Sequence, residues 1–199
     1  MRNLLFLFLS LFSFSMINAQ TNTENTCAGV TINLPLINNA GFYRYNTDGT
    51  GANDNQTGYF GSGFSFYFKN GSNKFSLGYE NPSLNKSLFP PKGGNHNLSV
   101  NIFEATVTHK VFSGIALIGG INYSNYRYRL FTDIPTFPKV DKKDETLGIT
   151  TGVEFVPAKS LSVAVTYRPS IFSFDKKTYR AVFSVGLRYD INFWNKKSR

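Results

Sequence analysis

Residue types that could perform catalysis are scarce in this sequence of 199 residues. A serine nucleophile needs a base within hydrogen-bonding reach of its hydroxyl, and the chain contains two histidines, His96 and His109. His96 is close in sequence to Asn97 and Ser99, whereas His109 lies on the apolar side of an alternating segment. Neither context matches the deacylase or palmitoyl-transferase motifs of lipid-modifying enzymes. We therefore predict no catalytic residues and no enzymatic activity.

Metal and cofactor sites are also weakly indicated. The segment 48–55 is rich in oxygen ligands, but it lacks the ligand order and the terminal glutamate of an EF-hand. The one cysteine, Cys27, excludes an intramolecular disulfide framework and a multi-cysteine zinc site. We expect neither a bound metal nor a cofactor.

Charged residues form the third chemically capable group, and they alternate with apolar ones. Every second side chain of a β-strand points to the same face, so the charges share one face. We expect carboxylates and cations of this face to pair with each other in a closed network. The candidates for this network are Glu104, Glu154, Arg168, Arg188 and Lys110.

Alternation with a period of two extends through most of the chain. It is clearest over 178–194, where eight successive apolar positions lie opposite Arg180, Ser184, Gly186, Arg188 and other polar or small residues. Further alternating segments occur over 63–68, 74–80, 103–111, 115–124, 147–155 and 161–168, with a weaker one over 41–46. Such a period predicts strands with one apolar face, and no segment outside the N-terminus shows a helical period.

The connections between these strands are of two sizes. Short turns fall at 70–72, 113–114 and 158–160, and longer polar loops at 47–57, 81–96, 132–144 and 174–177. Short turns at one end and longer loops at the other are typical of transmembrane β-barrels. We therefore predict an all-β fold, an eight-stranded antiparallel up-and-down barrel with both termini at the short-turn end.

The polar face decides between a soluble barrel and a membrane barrel. It carries charged residues together with many glycines, and glycines have little reason to gather on a solvent-facing surface. In an eight-stranded membrane barrel this face lines a narrow lumen that packed side chains fill. Aromatic residues near strand ends are expected to form belts at the lipid interfaces. We assign Tyr123, Tyr126, Tyr128 and Tyr167 to the long-loop belt, and Phe68, Phe112, Phe155 and Phe193 to the short-turn belt.

The N-terminus has the features of a secretory signal peptide. Arg2 precedes an apolar stretch over 4–16, and a small residue, Ala19, follows before Gln20. Loss of Arg2 with this segment lowers the net charge from +9 to +8. We predict a signal peptide at 1–19, an N-terminal periplasmic segment at 20–38, the barrel at 39–194 and a basic tail at 195–199.

The run Ser184–Phe193 resembles the C-terminal recognition strand of outer-membrane proteins, with Gly186, Tyr189, Ile191 and Phe193 at its marked positions. The resemblance implies handling by the barrel-assembly machinery. The mature chain as a whole resembles the small OmpA/OmpX-like barrels and the Bacteroidota-type outer membrane β-barrel proteins. This resemblance implies a location in a Gram-negative-type outer membrane, with periplasmic termini and outer-membrane lipids as partners.

The predicted long loops carry the remaining candidates for contact with lipids or partners. Lys142, Lys143, Lys176 and Lys177 could attract lipopolysaccharide phosphates or only keep the loops soluble. Phe89 and Phe137 lie beside prolines, in apolar knobs that could dock a partner or fold back over the barrel mouth.

These features predict a non-enzymatic outer-membrane barrel with a structural or surface-interaction role and a closed lumen. An accessory subunit of a larger outer-membrane transport or assembly complex, docking through its loops or its lipid-facing wall, is the first alternative. A lipid-modifying enzyme is the second. Nucleic acid is not expected as a partner of a secreted chain.

Overall fold

The computed structural model describes residues 26–45, 50–84, 95–131, 140–158, 160–174 and 180–196. These residues form strands and turns. The strands are β1 (Thr26–Tyr45), β2 (Gly51–Tyr59), β3 (Ser62–Asn70), β4 (Asn73–Asn81), β5 (Asn95–Phe112), β6 (Ile115–Phe131), β7 (Val140–Ala158), β8 (Leu161–Ser173) and β9 (Ala181–Lys196). No helix of the described part is long and apolar enough to cross a membrane.

The nine strands close into one antiparallel ring through pairing of β1 with β9. Tyr59, at the end of β2, lies opposite Ile37 of β1. Gly63, near the start of β3, lies opposite Asn33 of the same strand. Because the register is unbroken between these pairs, β2 and β3 form one interrupted strand of the barrel. The predicted eight-stranded up-and-down architecture is therefore confirmed.

The interruption of this strand lies opposite an irregularity in β1. Proline has no N–H to give to a ladder and is confined to bulges and edges within sheets. Pro35 accordingly lies at a register shift between β1 and β9. Across from it, Phe60 takes a positive φ of 59°, and Gly61 donates its N–H to the Pro35 carbonyl at 2.6 Å. The bulge and the break together bend both strands.

The barrel begins earlier in the chain than the sequence predicted. We assigned residues 20–38 to a periplasmic segment, but β1 starts at Thr26 and pairs along its length with β9. The alternation of Val30, Ile32 and Leu34 with smaller residues carried this signal, and Pro35 obscured it. At the other end β9 extends to Lys196, so the strand includes the start of the predicted tail 195–199.

The long-loop ends of several strands also extend further than predicted. β2 begins at Gly51, inside the predicted loop 47–57, and β7 begins at Val140, inside the predicted loop 132–144. Neither extension has a marked apolar alternation. They are strands because β1 and β6 provide backbone partners for them.

The two faces of the wall follow the predicted alternation. Along β5, Phe103 is exposed whereas Glu104, Thr106 and Thr108 are buried in the lumen. The stretch from Phe103 to Phe112 matches the 9–11 residues, roughly, that a tilted strand needs to span a membrane. Polar lumen and apolar outer wall are thus opposite to the arrangement of a water-soluble barrel.

This polarity reverses towards the long-loop end. Beyond Glu104, the lumenal positions of β5 are Ile102, Val100 and Leu98, each fully buried. They pack in an apolar cluster with Ala40, Phe42, Leu84, Tyr126, Tyr128 and Val182. On the outer face, the same stretch of β5 carries Asn97, Ser99 and Asn101. The end of the barrel is therefore built like a soluble domain that projects into water.

Because of this reversal, two of the tyrosines predicted for the long-loop aromatic belt do not belong to it. Tyr126 and Tyr128 are each 3% exposed and point into the apolar cluster, so they cannot contact lipid. They lie an odd number of residues from Tyr123, which places them on the other face of β6. Tyr167 is on the outer face. At the short-turn end all four predicted phenylalanines are exposed, namely Phe68, Phe112, Phe155 and Phe193.

The strands are strongly tilted. A row of directly paired, outward-facing residues starts at Leu161, the first residue of β8, and returns to the same strand at Phe172, near its end. The row passes through Tyr189, Ile32, Phe64, Tyr79, Phe103, Tyr123 and Leu147. Tilt of this kind is required to close a barrel of few strands, and it brings distant strand positions to the same height.

Lumenal glycines allow the coiled strands to approach closely, as the sequence led us to expect. At Gly120, a Cβ atom would lie 2.8 Å from the Thr106 Cα atom and would also collide with the Ala105 carbonyl oxygen. We expect Gly120→Val to lower the free energy of unfolding by about 1–3 kcal/mol, since the backbone must shift to admit the side chain. Urea titration of protein refolded in lipid vesicles would measure this change.

Gly119→Val is the matched control, because Gly119 precedes Gly120 in β6 and a side chain there would point to the opposite, lipid-facing side of the wall. We expect this variant to keep wild-type stability and heat-modifiable migration on a gel. Equal losses in the two variants would contradict the assignment of the two faces.

Candidate functional site

The centre of the lumen is occupied by one arginine between two glutamates. Arg168 of β8 is 1% exposed, and its Nε lies 2.9 Å from Oε2 of Glu104 on β5. Its Nη1 lies 3.1 Å from Oε1 of Glu80 on β4, and its Nη2 lies 3.1 Å from Oε2 of the same side chain. The guanidinium therefore links three strands across the lumen. Such a charge-assisted cluster is strong only while all of its members are present.

Hydroxyl and amide groups extend the cluster sideways. The Thr150 hydroxyl donates to Oε2 of Glu104 at 3.2 Å, and Asn122 donates its amide to Oγ1 of Thr150 at 3.2 Å. The Ser124 hydroxyl donates to the side-chain Oδ1 of Asn122 at 3.2 Å. This chain of hydrogen bonds satisfies buried oxygens that would be costly to leave unpaired.

Three further ion pairs lie above and below the centre. Towards the long-loop end, Nε of Arg180 lies 2.9 Å from Oδ2 of Asp144. Towards the short-turn end, Nη1 of Arg188 lies 3.6 Å from Oε2 of Glu154, which also accepts a hydrogen bond from Ser162. Lower still, Nζ of Lys74 lies 2.6 and 2.8 Å from the two oxygens of Asp190.

Of the five residues predicted for the lumenal network, the structure brings four into ion pairs. Glu104 meets Arg168, and Glu154 meets Arg188. Lys110 stands apart from both pairs and lines a cavity at the short-turn end. Glu80, which we did not predict as a member, shares Arg168 with Glu104. Its position on the polar face of β4 was the available signal, but its partner lies on a strand that is far away in sequence.

The paired charges leave little free space at mid-height. A cavity beside Glu80, Arg188 and Ser184 measures about 10 Å³, which is at the lower limit for one water molecule. Above it lies the dry apolar cluster around Leu98 and Tyr128. A continuous water path through the described part of the lumen is therefore blocked in two ways.

An aromatic belt marks the lipid boundary on the outer wall. Phe64, Tyr79, Phe103 and Tyr123 lie side by side on four neighbouring strands, with ring centroids 6.2, 5.1 and 6.4 Å apart in that order. The Tyr79 hydroxyl donates to Oδ1 of Asn101 at 2.7 Å, away from the apolar wall. An apolar ring with a hydrogen-bonded polar end is suited to the membrane interface.

Immediately beyond the belt, the outer wall becomes polar and basic. We call this surface the basic collar; it consists of Asn101, Asn125, Arg127, Arg129 and Lys143. A groove of about 640 Å³ runs between these residues, Tyr79 and Tyr123. Two acidic residues of β7 adjoin the collar on the outer face. The Asp141 carboxylate receives two hydrogen bonds from Arg127, at 3.0 and 2.6 Å, and Glu145, which lies opposite Asn125, accepts a hydrogen bond from the Tyr123 hydroxyl.

The residues predicted to contact lipid or a partner are only partly described. Lys143 lies opposite Arg127 on the outer face, whereas Lys142 lies opposite Tyr128 on the lumenal face of the projecting end. The two lysines are exposed but point in different directions, so one flat surface cannot bind both. Lys176, Lys177, Phe89 and Phe137 lie outside the described residues, as does the predicted signal peptide 1–19.

The predicted assembly motif forms the strand that closes the barrel. Tyr189, Ile191 and Phe193 are exposed on the outer face of β9, and Gly186 packs against the β1 backbone at Pro35. Recognition of this strand by the assembly machinery stays a prediction.

Catalytic and metal-binding arrangements are not apparent in the described part of the chain. His109 lies near the short-turn end, where its Nδ1 is 2.8 Å from Oδ1 of Asn73. The side chain of His96 is outside the described set. Within that set, no three histidine, cysteine or carboxylate side chains are grouped so as to hold a metal ion. Asp54, from the oxygen-rich segment 48–55, forms an ion pair with Arg44 at 3.3 Å.

The central cluster generates a stability prediction. Arg168→Met would leave Glu80 and Glu104 facing each other without a cation, and we expect it to lower the free energy of unfolding by about 3–5 kcal/mol. Denaturant titration in vesicles would measure the loss. Arg127→Met is the control, because its pair with Asp141 is exposed to solvent and should contribute little to stability.

A triple variant distinguishes loss of charge pairing from loss of packing. Adding Glu80→Gln and Glu104→Gln to Arg168→Met removes the unpaired charges, so stability should recover in part. Failure of the triple variant to recover any stability would argue against an electrostatic role for Arg168.

The similarity of this protein to known proteins is found in three-dimensional structure and not in sequence. No protein-family model matches the sequence, and no curated protein matches it. Among solved structures, Ail, the attachment invasion locus protein of Yersinia pestis in complex with the heparin analogue sucrose octasulfate, is similar with a TM-score of 0.55 and 10% identity, over 84% of this chain and 99% of Ail. Neisserial surface protein A is similar with a TM-score of 0.52 and 14% identity, over 84% of this chain and 99% of that protein. The chain therefore has the fold of the small eight-stranded outer-membrane β-barrels.

Proposed function

We propose that this protein is a non-enzymatic surface barrel of the outer membrane, with a closed lumen and a basic collar that binds anionic lipid headgroups. Lipopolysaccharide, with its phosphate groups, is the ligand that best suits the position and charge of the collar. The observation that carries the proposal is the placement of Arg127, Arg129 and Lys143 directly beyond the aromatic belt.

The height of the collar on the wall supports a lipid ligand. Tyr123 of the belt and Arg127 are both on the outer face of β6, separated by Asn125. A side chain one or two outward positions beyond the belt lies where headgroups begin, and it faces sideways rather than up into the medium. Arginine and lysine bind phosphate groups through charge-assisted hydrogen bonds. Loop lysines that only provide solubility would not need this position.

The sign of the local charge supports the same ligand class. Three cations of the collar lie beside two acidic side chains, Asp141, which is engaged by Arg127 and Arg129, and Glu145, which lies opposite Asn125. The excess positive charge would attract an anionic membrane surface. The similar Ail structure holds sucrose octasulfate, which is a polyanion, and we propose the same broad class of ligand here.

The closed lumen supports a binding or structural role over a channel. Arg168 with its two glutamates fills the centre, and the apolar cluster seals the projecting end. Hydrolytic chemistry is disfavoured because His109 hydrogen-bonds to Asn73 and, in the described structure, has no serine hydroxyl as a partner.

An accessory subunit of a larger outer-membrane complex is the second candidate. The lipid-facing wall has an apolar groove of about 600 Å³ where small residues, Ala105 and Gly119, lie between Phe66, Leu77 and Ile121. Small residues let a second transmembrane element approach closely. Such a groove is the kind of surface through which the wall could dock on a partner barrel.

Ion conductance tests the closed lumen. We expect pure wild-type protein in a planar bilayer to show no steady conductance, since charge pairs and apolar side chains leave no continuous water path. Arg168→Met, if it still folds as judged by heat-modifiable migration, should also show no steady conductance, because the apolar cluster still closes the projecting end of the lumen. Steady conductance of the wild type would contradict the proposal.

Lipopolysaccharide co-purification tests the basic collar. We expect the variant R127Q/R129Q/K143Q to retain much less lipopolysaccharide per mole of protein than the wild type, because three cationic donors are lost. The control K69Q/K110Q removes cations at the opposite end of the barrel and should retain the wild-type amount. The variant K142Q/K143Q/K176Q/K177Q separately tests the four lysines that the sequence predicts to attract lipopolysaccharide phosphates.

The same purification in mild detergent distinguishes the second candidate. Recovery of monomers that carry lipid would support the surface barrel and argue against the accessory subunit. A protein that co-purifies in fixed stoichiometry by mass spectrometry would favour the accessory subunit. An unchanged lipopolysaccharide content of R127Q/R129Q/K143Q would reject the role of the collar.

A further inference from the structure

A second cationic region lies inside the barrel, at the short-turn end. A cavity of about 360 Å³ opens there, and Ser72, Gly114 and Ser160 of three different turns line its rim. Its size lies at the lower end of the range of small-molecule pockets. The inner end is closed by Glu154 and Ser162, which hydrogen-bond to each other, so the cavity is blind.

Three lysines converge on this cavity from neighbouring strands. Lys69 of β3 lies directly opposite Lys74 of β4. Lys110 of β5 is on the same lumenal face, two residues beyond Thr108, which is the partner of Lys74. Like charges directly opposite each other in a sheet are destabilising. Lys69 and Lys74 therefore repel each other at the periplasmic mouth, and the packing of the barrel does not explain why both positions are lysine.

The acidic residues around the cavity neutralise only part of this charge. Asp190 is engaged by Lys74 at 2.6 and 2.8 Å, and it also accepts a hydrogen bond from Thr31 at 2.6 Å. Glu154 is paired with Arg188. In the described part of the chain, Lys69 and Lys110 have no carboxylate within ion-pair distance. Two ammonium groups thus face the cavity without a counter-charge.

Interaction with membrane lipid does not explain these two lysines. Lysines that extend towards lipid headgroups project from the outer wall, but the outer positions here belong to Phe68 and Val111. Lys69 and Lys110 are on the lumenal face and line the cavity. Their charge is therefore directed at something inside the barrel mouth.

The other donors of the cavity indicate which anion would fit. The hydroxyl groups of Ser72, Thr108 and Ser160 line the same space as the two lysines. A phosphoryl group offers several strong acceptor oxygens and carries more than one negative charge near neutral pH. It could therefore accept hydrogen bonds from hydroxyls while it neutralises two ammonium groups from one compact group, whereas each carboxylate group of an organic acid carries one charge and two acceptor oxygens.

We propose that the periplasmic mouth of the lumen is a binding site for a small phosphorylated ligand, held by Lys69 and Lys110 with help from the hydroxyl groups of the rim. Lys74 neutralises Asp190, which also lines the cavity, so this carboxylate repels an anionic ligand less strongly. The site is independent of the basic collar, which lies at the other end of the barrel and faces outward.

Calorimetric titration of full-length mature protein in phosphatidylcholine nanodiscs tests the site, with inorganic pyrophosphate as the probe at low ionic strength. We expect saturable binding by the wild type and a weakening of at least about tenfold in K69Q/K110Q. The control Arg44→Gln also loses a cation, at the long-loop end of β1 and outside both proposed sites, and should bind pyrophosphate like the wild type. Citrate serves as the carboxylate probe and should bind more weakly than pyrophosphate.

Stability against urea provides a second test of the site, in case K69Q/K110Q folds poorly. Without ligand, Lys69→Gln should be at least as stable as the wild type, because repulsion from Lys74 is removed. Pyrophosphate should stabilise the wild type against urea by mass action and leave K69Q/K110Q unaffected. Absence of wild-type binding into the millimolar range, equal binding by K69Q/K110Q, or citrate binding as tight as pyrophosphate binding would each overturn the proposal.

Discussion

Closure of the sheet between β1 and β9 is the constraint on which the other features of this protein depend. In a lipid environment every backbone N–H and C=O of the wall must find a partner within the protein, and only a closed ring provides one for each strand. With eight strands around the ring, the lumen is narrow enough to be filled by side chains. Charged residues placed inside it must therefore pair with one another or remain buried without a partner.

The central cluster shows how the chain meets this requirement. Arg168 reaches two carboxylates on strands that are not its neighbours in the sheet, so the ion pairs run across the lumen rather than along its wall. The remaining pairs are distributed above and below it. Among the described residues, the lumenal charges at mid-height are thereby paired, and an excess of cations lies towards the two ends, at the basic collar outside and at the lysine-lined cavity inside.

The reversal of polarity along β5 and β6 divides the barrel into two parts with different surroundings. Below the aromatic belt, the lumen is polar and the outer wall apolar, as the bilayer requires. Above it, Leu98, Val100 and Ile102 pack inside while amides and cations face outward. The same continuous strands thus serve a membrane barrel and a water-exposed extension. This extension carries the basic collar immediately beyond the aromatic belt.

The strand count, the short turns, the membrane-type wall and the face on which the lumenal charges lie were all predictable from the residue order alone. Alternation with a period of two is a local property that can be recognised without knowing which strands are neighbours. Glu104 and Arg168 could be placed in the lumen in this way. Alternation could not predict that these two residues pair, that Glu80 also binds Arg168, or that Lys110 lies apart from the described ion pairs. Those depend on strand tilt, which brings residues of β4, β5 and β8 to one height. The extent of β1 and β2 also depends on pairing between strands. In β1, Pro35 interrupts the apolar alternation, and β2 has little alternation along its length. Only the assembled barrel could show that Tyr126 and Tyr128 seal the lumen, because the polarity of a face reverses where the membrane ends.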